Sequence, residues 1–431
     1  MAAKPQFIYT IKCPDGTSYK YEDLNIFVKE VVEKKGYESI TPKRIREAAQ
    51  TGKPCKGYSA ERTSTETPRI IRPSPLTPDE KILKLTEENS FLKLQNKELT
   101  RASGLFKELA EVIKETPVIS DVKPYIKSPK KGKIEESAIL LLSDMHADQI
   151  VKPERVQGLE NFNFHVACKR MERIVDTTIT HLKDNLVGYH FDTLNILSLG
   201  DLISGEIHGA IMHSQYQNIL KNSLAVGELI SQAINDLSEH FEKINFVAVS
   251  GNHPRRSAKK DHRGSNDNFD FLIAKFVEVR LQKLIDDKRF TIVIPDSWSA
   301  MVKIRGWNML INHGDDIRSF GGVPFYGIER KVRRLTSIGA AVGEIPNYFF
   351  YGHNHQATTL TNNLGEVFIN GAFNASDEFS YDSLAAYSAP TQILLGVHEN
   401  HGVSWRLPIR LRTNNWKSDE QKPSRYNIKI V

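Results

Sequence analysis

Residues 138–146 read AILLLSDMH: five apolar residues in a row, a serine, then an aspartate and a histidine separated by one residue. A run of five is strand length and far below the roughly 18–20 residues of a membrane span. Four later runs share this build. LNILSLGD (194–201) ends in Asp201, INFVAVSGNH (244–253) in Asn252 and His253, MLINHGD (309–315) carries His313, and YFFYGHNH (348–355) carries His353 and His355. Amphipathic helical stretches at 166–186, 214–241 and 268–284 lie between runs, and this alternation is the pattern of an α/β domain. In such a domain the carboxyl ends of parallel strands share one rim, so the five polar ends are expected to converge on one buried site. Asp144 and His146 stand two residues apart, as do His353 and His355. In extended chain that spacing sends both side chains of a pair to one face.

Composition sets the surroundings. The 431 residues are 40% apolar and 26% charged, which fits a globular chain and neither a disordered nor a fibrous one. MAAKPQFIYTIK at the N-terminus lacks the apolar core of a signal peptide, and Cys13, Cys55 and Cys168 are too few and too scattered for a disulfide framework. The expected compartment is a reducing cytoplasm, with no membrane partner. Net charge is +6, and its location matters more than its size: residues 1–78 carry 14 Lys and Arg against 9 Asp and Glu, whereas residues 137–431 carry 32 of each. The surplus that would attract a polyanion is therefore N-terminal.

That N-terminal piece, residues 1–62, reads as a small basic α+β domain. QFIYTIK and Thr17 to Tyr21 flank the turn Pro14-Asp15-Gly16 as a hairpin. A first helix around Leu24 to Val32 ends at Gly36, and Thr41-Pro42 starts a second, KRIREAAQ. With its GK and GY tail (Gly52-Lys53, Gly57-Tyr58), this succession resembles the small DNA-binding modules appended to phage-type homing endonucleases. The resemblance implies DNA contacts from Lys43, Arg44 and Arg46, and a phage origin with the host cytoplasm as location. Residues 63–78 hold four prolines and form a linker. Residues 79–114 then keep a heptad, with Ile82, Asn89, Asn96, Ser103 and Ala110 at a and Leu85, Leu92, Leu99, Phe106 and Ile113 at d. This predicts a coiled-coil helix that makes a parallel homodimer; an intramolecular amphipathic helix is the alternative. Residues 115–137 form a second linker, and 138–431 the α/β domain.

The ordered set D-x-H, GD, GNH, H and GHxH, with carboxylate, imidazole and amide oxygen donors suited to borderline divalent metals, resembles the calcineurin-like metallophosphoesterase superfamily over about 138–410. The resemblance implies a four-layer α/β/β/α sandwich of two mixed sheets flanked by helices. It implies two divalent ions, manganese first and zinc, iron or magnesium as alternatives. Asp144, His146, Asp201 and His355 would hold one ion, and Asp201, Asn252, His313 and His353 the other, with Asp201 between them. Two cations about 3.5–4 Å apart make a hydroxide from water near neutral pH for in-line attack on phosphorus. His253 is then the catalytic residue that protonates the leaving oxygen.

Two departures from the family pattern bear on this. Pro254 stands where an acidic residue often follows GNH, and Ser204 stands where the repair nucleases of the superfamily carry a histidine, so His208 or His213 is a candidate replacement. The D-R-G that marks the protein phosphatase branch is absent after Asp201, which excludes phosphoprotein as the expected substrate. Arg255, Arg256, Lys259, Lys260 and Arg263 follow His253 within nine residues and are candidates to cradle flanking phosphates, Arg255 and Arg256 foremost. The leading expectation is a metal-dependent, nuclease-like phosphodiester hydrolase acting on DNA. Hydrolysis of small or cyclic nucleotides, and a non-enzymatic DNA-binding scaffold, are the competing readings.

Overall fold

In the computed structural model, residues 7–64, 86, 89, 90, 93, 116–127, 130–207, 214–257, 259, 260, 264–317, 324–363, 365–426 and 428 are described. The chain divides into two units, residues 1–100 and 101–431.

In the first unit the expected hairpin forms from β1 (Phe7–Lys12) and β2 (Ser18–Tyr21), closed through Gly16 at φ 86°. The helix Leu24–Phe27 runs on as the wide-turned Val28–Glu33, and Gly36 follows in the left-handed conformation. The second helix is Pro42–Thr51, with proline in its first turn; Thr41 occupies the N-cap without a side-chain capping bond. The stretch after Gly57 carries an element that the sequence pattern does not announce. It forms a strand, β3 (Ser59–Ser64), antiparallel to β1 in the sheet order β2-β1-β3. Its sequence SAERTS has one apolar residue, Ala60, so pairing with β1 rather than any pattern of its own makes it a strand. Ile11, Leu24, Phe27, Val32, Ile45 and Tyr58 form the core. Of the heptad segment only Thr86, Asn89, Ser90 and Lys93 belong to the described residues, all helical and exposed. The a and d seam as a whole, the dimer and nearly all of the linker 63–78 lie outside them.

The second unit takes in part of the expected linker. Residues 116–127, within the expected linker 115–137, lie along the helices of this unit: Ile119 N donates to Arg280 O (3.0 Å) and Ile126 N to Glu239 O (2.9 Å), and Ile119 and Val122 pack on the core. Pro117 and Pro124 keep the segment extended. Side chains hold its backbone as well, Lys283 and Arg289 donating to the carbonyls of Ser120 and Lys123. β4 then starts at Ile134, inside the same stretch.

β4 (Ile134–Leu142), β5 (Tyr189–Ser198), β6 (Lys243–Ala248) and β7 (Phe290–Val293) run parallel. β13 (Thr391–His398) and β14 (Gly402–Arg410) add antiparallel to the β4 edge, giving the order β14-β13-β4-β5-β6-β7. A second sheet has the order β11-β12-β10-β9-β8. Its strands are β8 (Ser299–Ile304), β9 (Trp307–Asn312), β10 (Tyr348–Tyr351), β11 (Thr358–Asn362) and β12 (Gly365–Ile369), with β9, β10 and β12 parallel. The apolar run in β4 is buried on both faces, which is why it does not alternate. Ala138, Leu140 and Leu142 face the helices Phe164–Ile179, Ile219–Ser238 and Phe269–Arg280, whereas Ile139 and Leu141 face the second sheet. On the far side of that sheet Leu310, Phe349, Tyr351 and Val367 pack on Ile328 and Val332 of the helix Phe325–Val342. The unit is thus the four-layer α/β/β/α sandwich that was expected. Among the described residues no helix is long and apolar enough to cross a membrane.

Candidate metal centre

Parallel pairing aligns the ends of three strands, Leu142 beside Ser198 and Ser198 beside Ala248. The chain leaves them as Ser143 to His146, Leu199 to Asp201 and Val249 to His253, and from the second sheet His313 follows β9 and Gly352 to His355 follow β10. The expectation that the D-x-H and H-x-H pairs aim together because their chain is extended is corrected here. Strand pairing has already stopped, and Asp144 (φ 50°), His146 (41°), Asp201 (55°), His353 (67°) and His355 (56°) are all left-handed. Non-glycine residues in this region store strain that the surroundings must hold. Asp144 N donates to Gly200 O (3.0 Å), His146 N to Asp201 O (3.2 Å), His253 N to Asp201 Oδ1 (2.8 Å) and His353 N to Asp144 Oδ1 (2.9 Å). Glycine is required where these turns touch. A Cβ on Gly352 would stand 2.6 Å from Asp144 Oδ2, and one on Gly251 would overlap the Asp201 carboxylate.

The side chains of Asp144, His146 and His355 converge, those of Asp201, His313 and His353 converge, and those of His146, Asp201 and His253 link the two groups, with donor atoms within 4.8 Å in each set. Asn252 Oδ1 lies 2.9 Å from His313 Nε2 and 3.0 Å from His353 Nδ1. His313 Nδ1 donates to the carbonyl of Leu199 (2.7 Å), which turns its Nε2 toward Asp201 Oδ2 (3.0 Å) as well. His146 Nδ1 is engaged by Ser204 Oγ at 3.1 Å, whereas its Nε2 is buried with no hydrogen-bond partner.

Burial opposes charge on Asp144, but His355 and His313 outweigh it and hold the carboxyl below its usual value. Asp201 is likewise drawn well down against burial by His313 and His253. Burial lowers His146 to about 3, with His253 and His355 adding repulsion, and lowers His353 to about 4 beside His313. At neutral pH the carboxylates are therefore anionic and these two imidazoles neutral, the ionisation states that metal ligands need. His313 differs. Burial disfavours its charge, yet Asp201 lifts its pKa to about 10, so a cation is what this corner attracts. An imidazole nitrogen without a partner, a nitrogen facing two oxygens and two anionic carboxylates together fit divalent cations.

Several supporting residues carry no sequence signal. Buried Asp270 accepts the N–H groups of Asp201, Leu202 and Gly251 at 2.9–3.1 Å, and burial together with Asp201 raises its pKa to about 7. Buried Asp148 accepts Ser204 N (2.7 Å), which ties the residue at the departed histidine position to His146. Arg170, fully buried between Glu160 and Glu420, donates to the carbonyl of Phe373, whose own N–H reaches Asp144 O at 3.0 Å.

Three side chains of the basic loop have partners within the unit. Arg255 Nε donates to Asn252 O (2.8 Å), Arg256 pairs with Asp267 (2.7 Å), and Lys260 pairs with Asp315 (2.7 Å) over the Trp298 ring. His208, His213 and Arg263 lie outside the described residues. Lys43, Arg44 and Arg46 belong to the first unit, exposed on the helix Pro42–Thr51.

Neither a protein-family model nor a curated protein matches the chain. Solved structures to which it is similar include a novel archaeal phosphodiesterase (12% identity over 63% of this chain and 99% of that one, TM-score 0.30). Vps29 from Entamoeba histolytica complexed with zinc (10%, 63% and 99%, TM-score 0.27) and YfcE, a phosphoesterase from E. coli (11%, 63% and 100%, TM-score 0.26), are two others. Overlaps this loose assign neither substrate nor site.

Proposed function

We propose that the chain is a metal-dependent phosphodiester hydrolase of the calcineurin-like metallophosphoesterase type, acting on nucleic acid. The observation that carries this reading is the meeting of two carboxylates and five imidazoles, in sets that overlap at His146 and Asp201, at the ends of strands from both sheets. Asp144, His146, Asp201 and His355 would hold one divalent cation, and Asp201, Asn252, His313 and His353 a second. When bound, such a pair polarises phosphoryl oxygens and lowers the pKa of an attacking water. Asp144 and Asp201 supply the compensating negative charge, and the buried His146 and the half-buried His353, both neutral, supply lone pairs. His253, half-buried with its ring 4.8 Å from that of His146, passes a proton to the leaving oxygen. DNA contacts by Lys43, Arg44 and Arg46 and dimerisation through 79–114 belong to the same proposal.

Hydrolysis of small or cyclic nucleotides is the second reading, favoured by the ion pairs of Arg256 with Asp267 and of Lys260 with Asp315, which leave less free charge beside the centre for a long polyanion. The test compares cleavage of a labelled oligonucleotide with that of a cyclic dinucleotide in Mn²⁺, for the full chain and a chain without residues 1–78. Oligonucleotide cleavage that persists on truncation, with weaker DNA binding and a shallower salt dependence, is expected. Turnover of the cyclic dinucleotide alone would overturn the nucleic-acid reading.

A further inference from the structure

The turns after β5 and β6 carry Asp201, Asn252 and His253, and they touch so closely that a Cβ on Gly251 would overlap Asp201. No side chain can pack between them, so hydrogen bonds must set their register. One carboxylate supplies these. Asp270 Oδ2 accepts both Asp201 N and Gly251 N at 2.9 Å, and Oδ1 accepts Leu202 N at 3.1 Å. Asn268 completes the grip: its Oδ1 accepts Asp270 N (2.8 Å), and its Nδ2 donates to Gly251 O (2.9 Å). The peptide groups flanking Gly251 are thus held at an N–H and at a carbonyl, by residues 17 and 19 positions further along the chain. Both residues are buried, and without Asp270 three buried N–H groups would lose their acceptor.

We propose that Asp270, braced by Asn268, is a positioning residue that sets Asp201 and the 251–253 turn in the geometry for metal holding and proton transfer, in a chain whose position 254 is proline. The assignment rests on the hydrolase reading for its chemical consequence but not for the clamp itself.

Asp270→Asn preserves shape but turns an NH₂ toward N–H donors, so at least one of the three loses its acceptor. Asn268→Ala leaves the carboxylate and removes only the hold on Gly251 O. Amide hydrogen exchange of the wild-type chain should show Asp201, Leu202 and Gly251 protected. Asp270→Asn should exchange there at least about tenfold faster with β4 amides unchanged, and Asn268→Ala should accelerate Gly251 and its neighbours less. Mn²⁺ affinity should fall by about 10–100-fold in Asp270→Asn, and kcat should fall with KM within about twofold. If Asp270→Asn does not fold, Asn268→Ala decides by the same measurements. Unprotected wild-type amides, or wild-type exchange and Mn²⁺ affinity in both variants, would overturn the proposal. A wild-type chain that binds no Mn²⁺ and cleaves no phosphodiester would remove the hydrolase reading, and the exchange measurement would still decide whether Asp270 clamps the turns.

Discussion

Arg170→Met should destabilise the second unit by about 3 kcal/mol, the lower end of what removing one partner from a buried ion pair does. The magnitude follows from what is stranded. Arg170 donates through Nη1 and Nη2 to Glu160 (3.2 and 3.1 Å), through Nε to Glu420 (2.8 Å), and to the carbonyl of Phe373. Glu160 is less exposed to the loss, because Arg412 and the N–H groups of Asn161 and Ala375 also reach it. Glu420 and the Phe373 carbonyl lose their close partner. With a urea slope of about 2–3 kcal/mol per molar, the unfolding midpoint should fall by about 1 M. Adding Glu420→Leu should recover about 1–2 kcal/mol, since the two residues share one network. An Arg170→Met variant within about 1 kcal/mol of wild type, or a double variant equal to the sum of its singles, would show that Arg170 does not anchor a coupled buried network.

Three further outcomes are expected. Asp201→Asn should weaken Mn²⁺ binding at both halves of the centre in a calorimetric titration, because both sets of ligands include it, whereas His146→Ala should affect one; full hydrolysis by Asp201→Asn in chelator-treated buffer would remove the two-cation arrangement. His253→Ala should slow an unactivated phosphodiester by roughly 10²–10⁴-fold but a bis(nitrophenyl) ester much less, and equal losses would give His253 a structural role instead. Burial lowers Lys183 to about 8, below the ordinary value of 10.5, while its ammonium reaches Phe191 O at 3.2 Å. A folded pKa below the unfolded one adds stability that is present above about 10.5 and is lost as pH falls through about 8. Lys183→Met should therefore gain on wild type by on the order of 1 kcal/mol between pH 10.5 and 7.5, allowing for solvent screening, and urea midpoints at the two values check it.

The ends of the five apolar runs were legible because a strand stop followed by carboxylate, imidazole or amide is visible one residue at a time. What surrounds them was not. Asp270 and Asp148 act on backbone N–H groups, which any residue offers, so no spacing announces the pairing. Arg170 meets Glu420 across 250 positions, and its helix shows only a charged residue on an apolar face. β3 is polar because it lies at a sheet edge, and residues 116–127 hold three prolyl or acidic residues that read as linker although Ile119 and Val122 are partly buried against the core. The partners of the basic loop were hidden in the same way, since Asp267 and Asp315, which pair with Arg256 and Lys260, lie 11 and 55 residues away.

The same limit explains the left-handed residues of the centre. Asp144, His146, Asp201, His353 and His355 each forgo about 1–2 kcal/mol in that conformation, while a typical hydrogen bond returns only about 1. The bonds from Asp144 N to Gly200 O, His146 N to Asp201 O, His253 N to Asp201 Oδ1 and His353 N to Asp144 Oδ1 do not by themselves offset five strained residues. The balance has to come from the layers behind. Ser143 N and Asn370 bind Gln392, Phe373 N binds Asp144 O under the hold of Arg170, and Asp270 fixes Asp201 and Gly251. The two aspartates at the middle of the site are therefore both candidate ligands and acceptors for the turns that carry the other ligands. Changing either to alanine should remove donor atoms and loosen neighbouring turns together, whereas changing a rim residue such as His253 should spare the turns.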